Sequence, residues 1–182
     1  MTRPGAVIAA VLVVAAVIGV IGGAVWLLGG DDGAAEHTGT DAGFGIDPIG
    51  GDPTLSAVAV MAGIYTWQPS VQDSTWDALH AQRDYLSAAM AVAAQTPPDP
   101  APRPLPEWEA WARSDDTLTA VVRAAGDARV EGTTATVPVT IAQTVQHSSG
   151  DATPYTTYAA TVTLTETAGA WTVSNYRLGT AR

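Results

Sequence analysis

Three polar side chains that could do acid–base chemistry lie close together in the sequence: His80, Arg83 and Asp84. Their spacing of three and four residues places them on one side of a predicted helix. A histidine beside an aspartate can exchange protons with a substrate. The competing interpretation is a solvated or salt-bridged helix face, in which Arg83 ties the helix to a neighbouring sheet. We favour this second interpretation, because no nucleophile or oxyanion donor accompanies the three residues in sequence.

The remaining residue types provide no other reactive centre. His37 lies in a Gly-rich stretch and His147 lies just after a predicted strand, and neither has metal-ligand spacing to another histidine or to an acid pair. Cysteine is absent, which excludes disulfides, thiolate metal sites and a cysteine nucleophile. Phosphate-binding loops and the Gly-x-Ser-x-Gly motif are missing as well. We therefore predict a protein that is not an enzyme, with no catalytic residue, no cofactor and no metal site.

The longest apolar stretch runs from Ala6 to Leu28 and contains no charged residue. Its 23 residues would form a helix of roughly 35 Å, which is long enough to cross a membrane. Arg3 precedes the stretch and no basic residue follows it before Arg83, which favours a cytoplasmic N-terminus over residues 1–5. The alternative is a cleaved signal peptide, whose apolar region is usually shorter. We predict a single transmembrane helix over residues 6–28 that anchors the chain in the cell membrane.

Two further segments follow the apolar stretch. Residues 29–54 contain eight glycines, six acids and no basic residue, which predicts a flexible linker. Residues 55–182 are long enough for one extracytoplasmic domain with its own core. The formal net charge is −10, and the eight basic residues, all arginine, do not cluster. Because nucleic-acid binding needs a basic patch, we expect no direct contact with nucleic acid.

Helical periodicity dominates the first half of the predicted domain. It predicts one helix from an N-cap at Thr54 to about Trp67, and a second helix over residues 74–94 that begins with a capping box. The proline-rich segment 97–106 predicts an extended connector. A short helix over residues 107–113 follows, and its tryptophans, Trp108 and Trp111, share one face that we expect to be buried.

Alternation with period two dominates the second half and predicts antiparallel strands. The strands cover residues 117–125, 133–145, 158–164 and a last segment that begins at Trp171. Pro138 indicates an edge or a bulge, because it lacks a donor for the sheet. A change of parity places a bulge near Asn175. The predicted fold class is α+β, with helices packed on one face of a curved antiparallel sheet.

This order of elements behind an N-terminal anchor resembles the single-pass envelope proteins whose external domain is a nuclear-transport-factor-2-like cone. Two groups fit: the Mce-associated membrane proteins, and the scaffold proteins of conjugation and type IV secretion channels. The resemblance spans residues 6 to 180. Three local patterns carry it: Tyr65-Thr66-Trp67-Gln68-Pro69, then Asp77-Ala78 with Arg83, and the closing Gly169-Ala170-Trp171-Thr172-Val173-Ser174. At the second pattern the families have Arg-Ala, where this chain has Arg83-Asp84.

The resemblance implies a non-enzymatic accessory or scaffold subunit of an envelope transport, conjugation or secretion complex. Such a subunit acts through contacts with other protein subunits, and self-association into a homo-oligomer is left open. Cone domains also hold ligands or active sites in a pocket between helices and sheet, so a small-ligand-binding or enzymatic domain is the alternative. In a cone, the side of the second helix that carries His80, Arg83 and Asp84 would line that pocket.

Overall fold

The structure is a computed structural model that describes residues 50–101 and 103–179. The predicted anchor, residues 6–28, lies outside this part of the chain, as does most of the predicted linker. In the part described, no helix combines the length and the apolar character needed to cross a membrane. The helices are α1 (Pro53–Ile64), α2 (Thr75–Ala81), α3 (Ala88–Gln95) and α4 (Trp108–Ser114). The strands are β1 (Thr117–Ala124), β2 (Arg129–Glu131), β3 (Thr134–Gln146), β4 (Ala152–Thr167) and β5 (Ala170–Gly179).

One antiparallel sheet organises the domain, with the strand order β1-β3-β4-β5 and with β2 paired to the start of β3. The helices cover one face: α1 contacts β1, β3 and β5, and α3 contacts β5. In β3, in the second half of β4 and at the start of β5, every second residue faces the helices and most of these residues are buried, as the alternation predicted. The buried residues of the sheet include Leu118, Val122, Val137, Val139, Ile141, Val162, Leu164 and Val173. The predicted α+β class is therefore confirmed.

Asp52, and not Thr54 as predicted, caps the first helix. Its carboxylate accepts hydrogen bonds from the backbone N–H groups two and three residues further on, at 2.7 and 2.9 Å. Pro53 takes the first helical position, where a missing N–H costs nothing. Just before the cap, the carbonyl of Gly50 accepts a hydrogen bond from the N–H of Trp171 at 2.8 Å. The folded domain thus includes four residues of the segment predicted as linker, namely Gly50, Asp52, Pro53 and Thr54.

The prediction of one continuous helix over residues 74–94 is wrong. The chain forms α2, then a 3-10 turn over Arg83–Tyr85, and then α3. The interruption coincides with a backbone contact to the sheet, since Leu86 forms a parallel bridge with Val173 and the N–H of Ser87 donates to the Val173 carbonyl at 2.9 Å. This contact covers part of the outer edge of β5, which would otherwise expose unpaired backbone groups. A continuous helix could not offer that N–H, because the helix would use it internally.

Pro138 lies in β3, a strand paired on both sides, so the prediction of an edge strand is wrong for the strand as a whole. Its carbonyl accepts a hydrogen bond from the N–H of Ala125 at 2.8 Å, so the backbone groups of Pro138 face the side of β1. On that side, β1 has ended at Ala124 and β2 first pairs at Thr136. The missing N–H therefore faces an interruption between two strands, which is the local situation that tolerates proline.

The bulge predicted near Asn175 is confirmed. The pairing of β4 with β5 shifts register after Thr163, which faces Asn175, whereas the next residue of β4, Leu164, faces Val173. Ser174 is the extra residue, and its hydroxyl donates to the carbonyl of Thr163 at 3.2 Å. The bulge changes which residues of β5 face inward, and it thereby directs Tyr176 towards the helices.

Candidate functional site

His80 has a structural setting within the helical layer. Its ring stacks on Trp76, with ring centroids 4.9 Å apart, and its Nδ1 lies 2.8 Å from the carbonyl oxygen of Ala94. The indole N–H of Trp76 donates to the neighbouring carbonyl of Ala93 at 2.8 Å. Carbonyls at the end of a helix have no partner within the helix, so both side chains satisfy the C-terminus of α3. His80 thus joins α2 to α3.

Arg83 and Asp84 lie in the 3-10 turn, so they do not continue the helix that carries His80. Their side chains form a long ion pair of 3.9 Å and are 48% and 77% exposed. Arg83 also donates to the carbonyl of His80 at 3.4 Å. Both contacts are local in sequence, whereas the tie to the sheet is made by Leu86 and Ser87. Exposed pairs of this kind contribute little to stability.

The structure brings a different histidine and aspartate together, at one end of the sheet. His147 Nδ1 lies 3.2 Å from Asp116 Oδ2, and His147 Nε2 lies 2.9 Å from the hydroxyl oxygen of Thr153. The Ser114 hydroxyl donates to the same carboxylate oxygen at 2.8 Å. We call these four residues the Asp116 cluster. It joins the end of α4 to the turn between β3 and β4.

Asp116 is only 6% exposed, and its environment favours the ionised form of its carboxyl. Burial by itself raises its pKa. The pKa of Asp116 nevertheless lies below its ordinary value, because several interactions stabilise the carboxylate by more than burial disfavours it. These are the hydrogen bonds from the side chains of Ser114 and His147, the electrostatic attraction of His147, and a backbone hydrogen bond from Ser148. Asp116, His147 and Thr153 are connected in the order acid, histidine, hydroxyl, which is the order found where a histidine activates a hydroxyl as a nucleophile. Thr153, however, lies exposed on a strand, and it lines none of the cavities described below.

Asp116→Asn should lower stability at neutral pH and have little effect in acid. A carboxyl whose pKa is lower in the folded than in the unfolded chain contributes stability in full above its unfolded pKa of about 3.9, and loses it as the pH falls through the folded pKa. We expect the thermal midpoints of wild type and variant to differ at pH 7, to begin to converge as the pH falls below about 4, and to meet once the pH is below the folded pKa. Asp127→Asn, on an exposed loop, is the matched control. A constant difference across this range would contradict the prediction.

The Asp116 cluster was missed because its members are far apart in sequence. A usable signal was present, however: Asp116 immediately precedes β1 and His147 immediately follows β3. Pairing of these two strands as neighbours, with Thr117 opposite Gln146, necessarily brings the flanking residues together. The sequence alone does not show that β1 and β3 are neighbours in the sheet, and the Asp116 cluster could not be predicted without that information.

A cavity of about 440 Å³ lies between the helices and the sheet. We call it the cone pocket. Its lining residues come from the end of α1, from α2, α3 and β5, and from the connectors. They are Ile64, Tyr65, Trp67, Thr75, Leu79, Met90, Ala93, Leu105 and Tyr176. The side of α2 that faces this pocket carries Thr75 and Leu79, and His80, Arg83 and Asp84 do not line it.

Three aromatic residues, Tyr65, Trp67 and Tyr176, line the inner side of the cone pocket. The Tyr65 ring lies 6.1 Å from Tyr176 and 5.8 Å from Tyr158 between centroids, and Trp67 lies 6.2 Å from Tyr65 on the other side. Burial raises the pKa of Tyr65 above its ordinary value. The neighbouring hydroxyl of Tyr176, and the charges that Tyr176 and Tyr158 would carry when ionised, raise it further. Its phenol is therefore neutral at physiological pH. Gln143, which is 2% exposed, fixes the backbone at this point by donating to the Tyr65 carbonyl at 2.7 Å.

A second depression, of about 500 Å³, lies on the opposite face of the sheet around β2. Its lining is polar and mixed in charge: Asp127, Arg129, Glu131, Thr134, Thr136, Pro138 and Thr161. Among residues 50–101 and 103–179, no group of three or more histidines and acids is placed to hold a metal ion. The cone pocket differs from this depression in lying between the helices and the sheet and in having a mainly apolar lining, and we take it as the candidate site for these two reasons.

No protein-family model and no curated protein matches this chain. Among solved structures, the VirB8 protein of Agrobacterium tumefaciens is similar at 13% identity and a TM-score of 0.43, over 71% of this chain and 93% of that chain. The intermembrane space region of the chloroplast protein ARC6 is similar at 13% identity and a TM-score of 0.33, over 69% of this chain and 95% of that chain. Both are similarities of backbone arrangement, and neither assigns the chain to a family.

Proposed function

We propose that the protein is a membrane-anchored accessory or scaffold subunit of a cell-envelope transport, conjugation or secretion complex. Its α+β domain lies on the extracytoplasmic side, in a nuclear-transport-factor-2-like arrangement, and acts by contacting other subunits rather than by catalysis. The N-terminus lies in the cytoplasm, and the helix over residues 6–28 holds the chain in the membrane.

The order of segments along the chain is the observation that carries this proposal. An uncharged stretch of 23 residues comes first, an acidic Gly-rich stretch second, and a compact domain with contacts from Gly50 onwards third. A Gly-rich coil over residues 29–49, before the first contacts of the domain, would span roughly 25 Å on average. A domain on such a tether reaches neighbouring subunits while its distance from the membrane stays limited, which suits a protein that works by contact.

The polar side chains of the domain support the same proposal. His80 satisfies backbone carbonyls, Arg83 and Asp84 pair with each other in solvent, and the Asp116 cluster fastens a turn to a helix. Each group has a partner that explains its position without a substrate. Surface arginines at positions 123, 129 and 177 are spread over three strands, which does not favour a nucleic-acid partner.

Cell fractionation tests the anchor on which the proposal depends. We expect the full chain to sediment with membranes and to resist a carbonate wash, because a retained apolar helix is not extracted by high pH. A chain that lacks residues 6–28 but carries an unrelated cleavable export signal is the matched control, and we expect it in the soluble fraction. A soluble mature form that begins near Glu36 would show that the apolar stretch is removed, and would overturn the proposal.

A further inference from the structure

We propose that the cone pocket binds an uncharged, mainly apolar small molecule that carries one hydrogen-bonding group. This inference needs only the folded domain, and it is independent of the anchor and of any partner subunit. It concerns a binding site and no chemical step.

The size of the cone pocket is that of a ligand site. Its volume of about 440 Å³ lies within the range of roughly 300–1,000 Å³ that is typical of sites for small molecules. The cone pocket is a cleft that is partly open to solvent, so a small molecule can enter it and contact both the helical layer and the sheet.

The lining decides the charge of the ligand. The nine lining residues include no aspartate, glutamate, histidine, lysine or arginine. A charged group that entered the cone pocket would lose its hydration without gaining a counter-ion, which is strongly unfavourable. Apolar groups, in contrast, would be removed from water against Ile64, Leu79 and Leu105, which is favourable in proportion to the area buried.

Tyr65 and Tyr176 provide the polar end of the cone pocket. Their rings meet edge to face at 75°, with centroids 6.1 Å apart, and both residues line the cone pocket. A phenol hydroxyl has one proton to donate and can also accept a hydrogen bond, so this end of the cone pocket can donate to an acceptor. A carbonyl, ether or hydroxyl oxygen of a ligand fits this position, and an oxygen of this kind orients the ligand.

The inner wall is held in place before any ligand arrives. The indole N–H of Trp67 donates to the Ile64 carbonyl at 2.9 Å, and Gln143 holds the Tyr65 carbonyl. On the outer side, Met90 and Ala93 face the same space from α3. Methionine adapts its shape to a bound molecule at low cost. The aromatic side is rigid and the side formed by Met90 can adapt. This combination favours binding, because few side chains must be ordered when the ligand binds.

Photolabelling with a matched pair of molecules tests the inference on the full chain in its native membrane. Benzophenone is neutral and apolar, has one carbonyl acceptor, and forms photoadducts readily with methionine. 4-Benzoylbenzoate has the same body and adds one carboxylate. The chain has three methionines, of which Met90 lines the cone pocket and Met61 is fully buried. A further methionine at the exposed position Val71 (Val71→Met) reports the local concentration of each compound, so the adduct at Met90 is expressed relative to it.

We expect benzophenone to label Met90 saturably, and 4-benzoylbenzoate to give a relative adduct about tenfold lower, which corresponds to about 1.4 kcal/mol. Ala93→Phe should fill the mouth of the cone pocket and lower the benzophenone adduct about tenfold. Val92→Phe, at an exposed neighbouring position of α3, should leave it unchanged. The inference is overturned if Met90 is not labelled, if both compounds label it equally, or if Ala93→Phe has no effect in a folded protein. The comparison of the two compounds needs no pocket variant, so it stands even if Ala93→Phe does not fold.

Discussion

Trp171→Ala should destabilise the domain by about 3–5 kcal/mol, the usual cost of removing a buried tryptophan or phenylalanine side chain. Trp171 is 8% exposed and lies at the beginning of β5, opposite Glu166. Its side chain belongs to the main hydrophobic core, and its backbone N–H holds Gly50. Alanine keeps that backbone bond, so the loss reports the side chain alone.

The measurement is the free energy of unfolding of the purified protein in urea, followed by far-UV circular dichroism. Leu178→Ala is the matched control, because Leu178 lies on the same strand but is 47% exposed. We expect the control to change stability by about 0.5 kcal/mol or less. If the Trp171→Ala protein were as stable as wild type, the assignment of Trp171 to the core of the domain would be wrong.

Trp67→Ala should have a similarly large effect, about 3–5 kcal/mol. Trp67 lies beyond α1, which ends at Ile64 and not near Trp67 as predicted. The backbone N–H and carbonyl of Trp67 pair with Leu118 at 2.8 and 2.9 Å, and its ring lies 6.0 Å from Trp108 between centroids. Its side chain is 6% exposed and packs between α1, α4 and the sheet.

The same unfolding experiment checks this prediction, with Trp76→Ala as the control. Trp76 is the same residue type in the same helical layer, but it is partly exposed and donates one hydrogen bond to Ala93. Such a bond is worth about 1 kcal/mol. We therefore expect Trp76→Ala to cost much less than Trp67→Ala. Equal losses would mean that the cluster around Trp67 does not stabilise the domain more than surface packing does.

The strands and their inward faces were predictable because alternation is a local property. Val137, Val139 and Ile141 repeat with period two, and burial follows directly from that repeat. The bulge near Asn175 was predictable for the same reason, since a bulge changes the parity within one strand. The capping box of α2 was predictable as well, and the Ser74 N–H donates to the Asp77 carboxylate at 2.9 Å.

The interruption between α2 and α3 was not predictable in this way. Residues 88–94 are good helix formers, and the apolar spacing continues past Arg83. The competing contact is the pairing of Leu86 and Ser87 with Val173, about 86 residues away in sequence. Local propensity contains no information about such a contact, and the separation of His80 from Arg83 and Asp84 follows from it.

The cone pocket was predictable in outline only. The resemblance implied a pocket between helices and sheet, but the lining residues come from five separate segments of the chain. Which side of α2 faces inward depends on how α2 packs on α1 and α3. The predicted side carried His80, whereas the observed side carries Thr75 and Leu79. Sequence spacing defines the two sides of a helix, and tertiary packing selects between them.

Site-specific photocrosslinking in the native membrane tests most directly whether this domain works through protein contacts. A photoreactive residue is placed at exposed positions, in turn Val71, Val92, Val121 and Val130. We predict a discrete adduct with another protein from at least one position. We also predict that His80→Ala/Asp84→Ala retains both this adduct and the activity that is lost when residues 55–182 are deleted. Loss of activity in the double variant, with adducts and protein level unchanged, would contradict the account and would assign the function to those side chains.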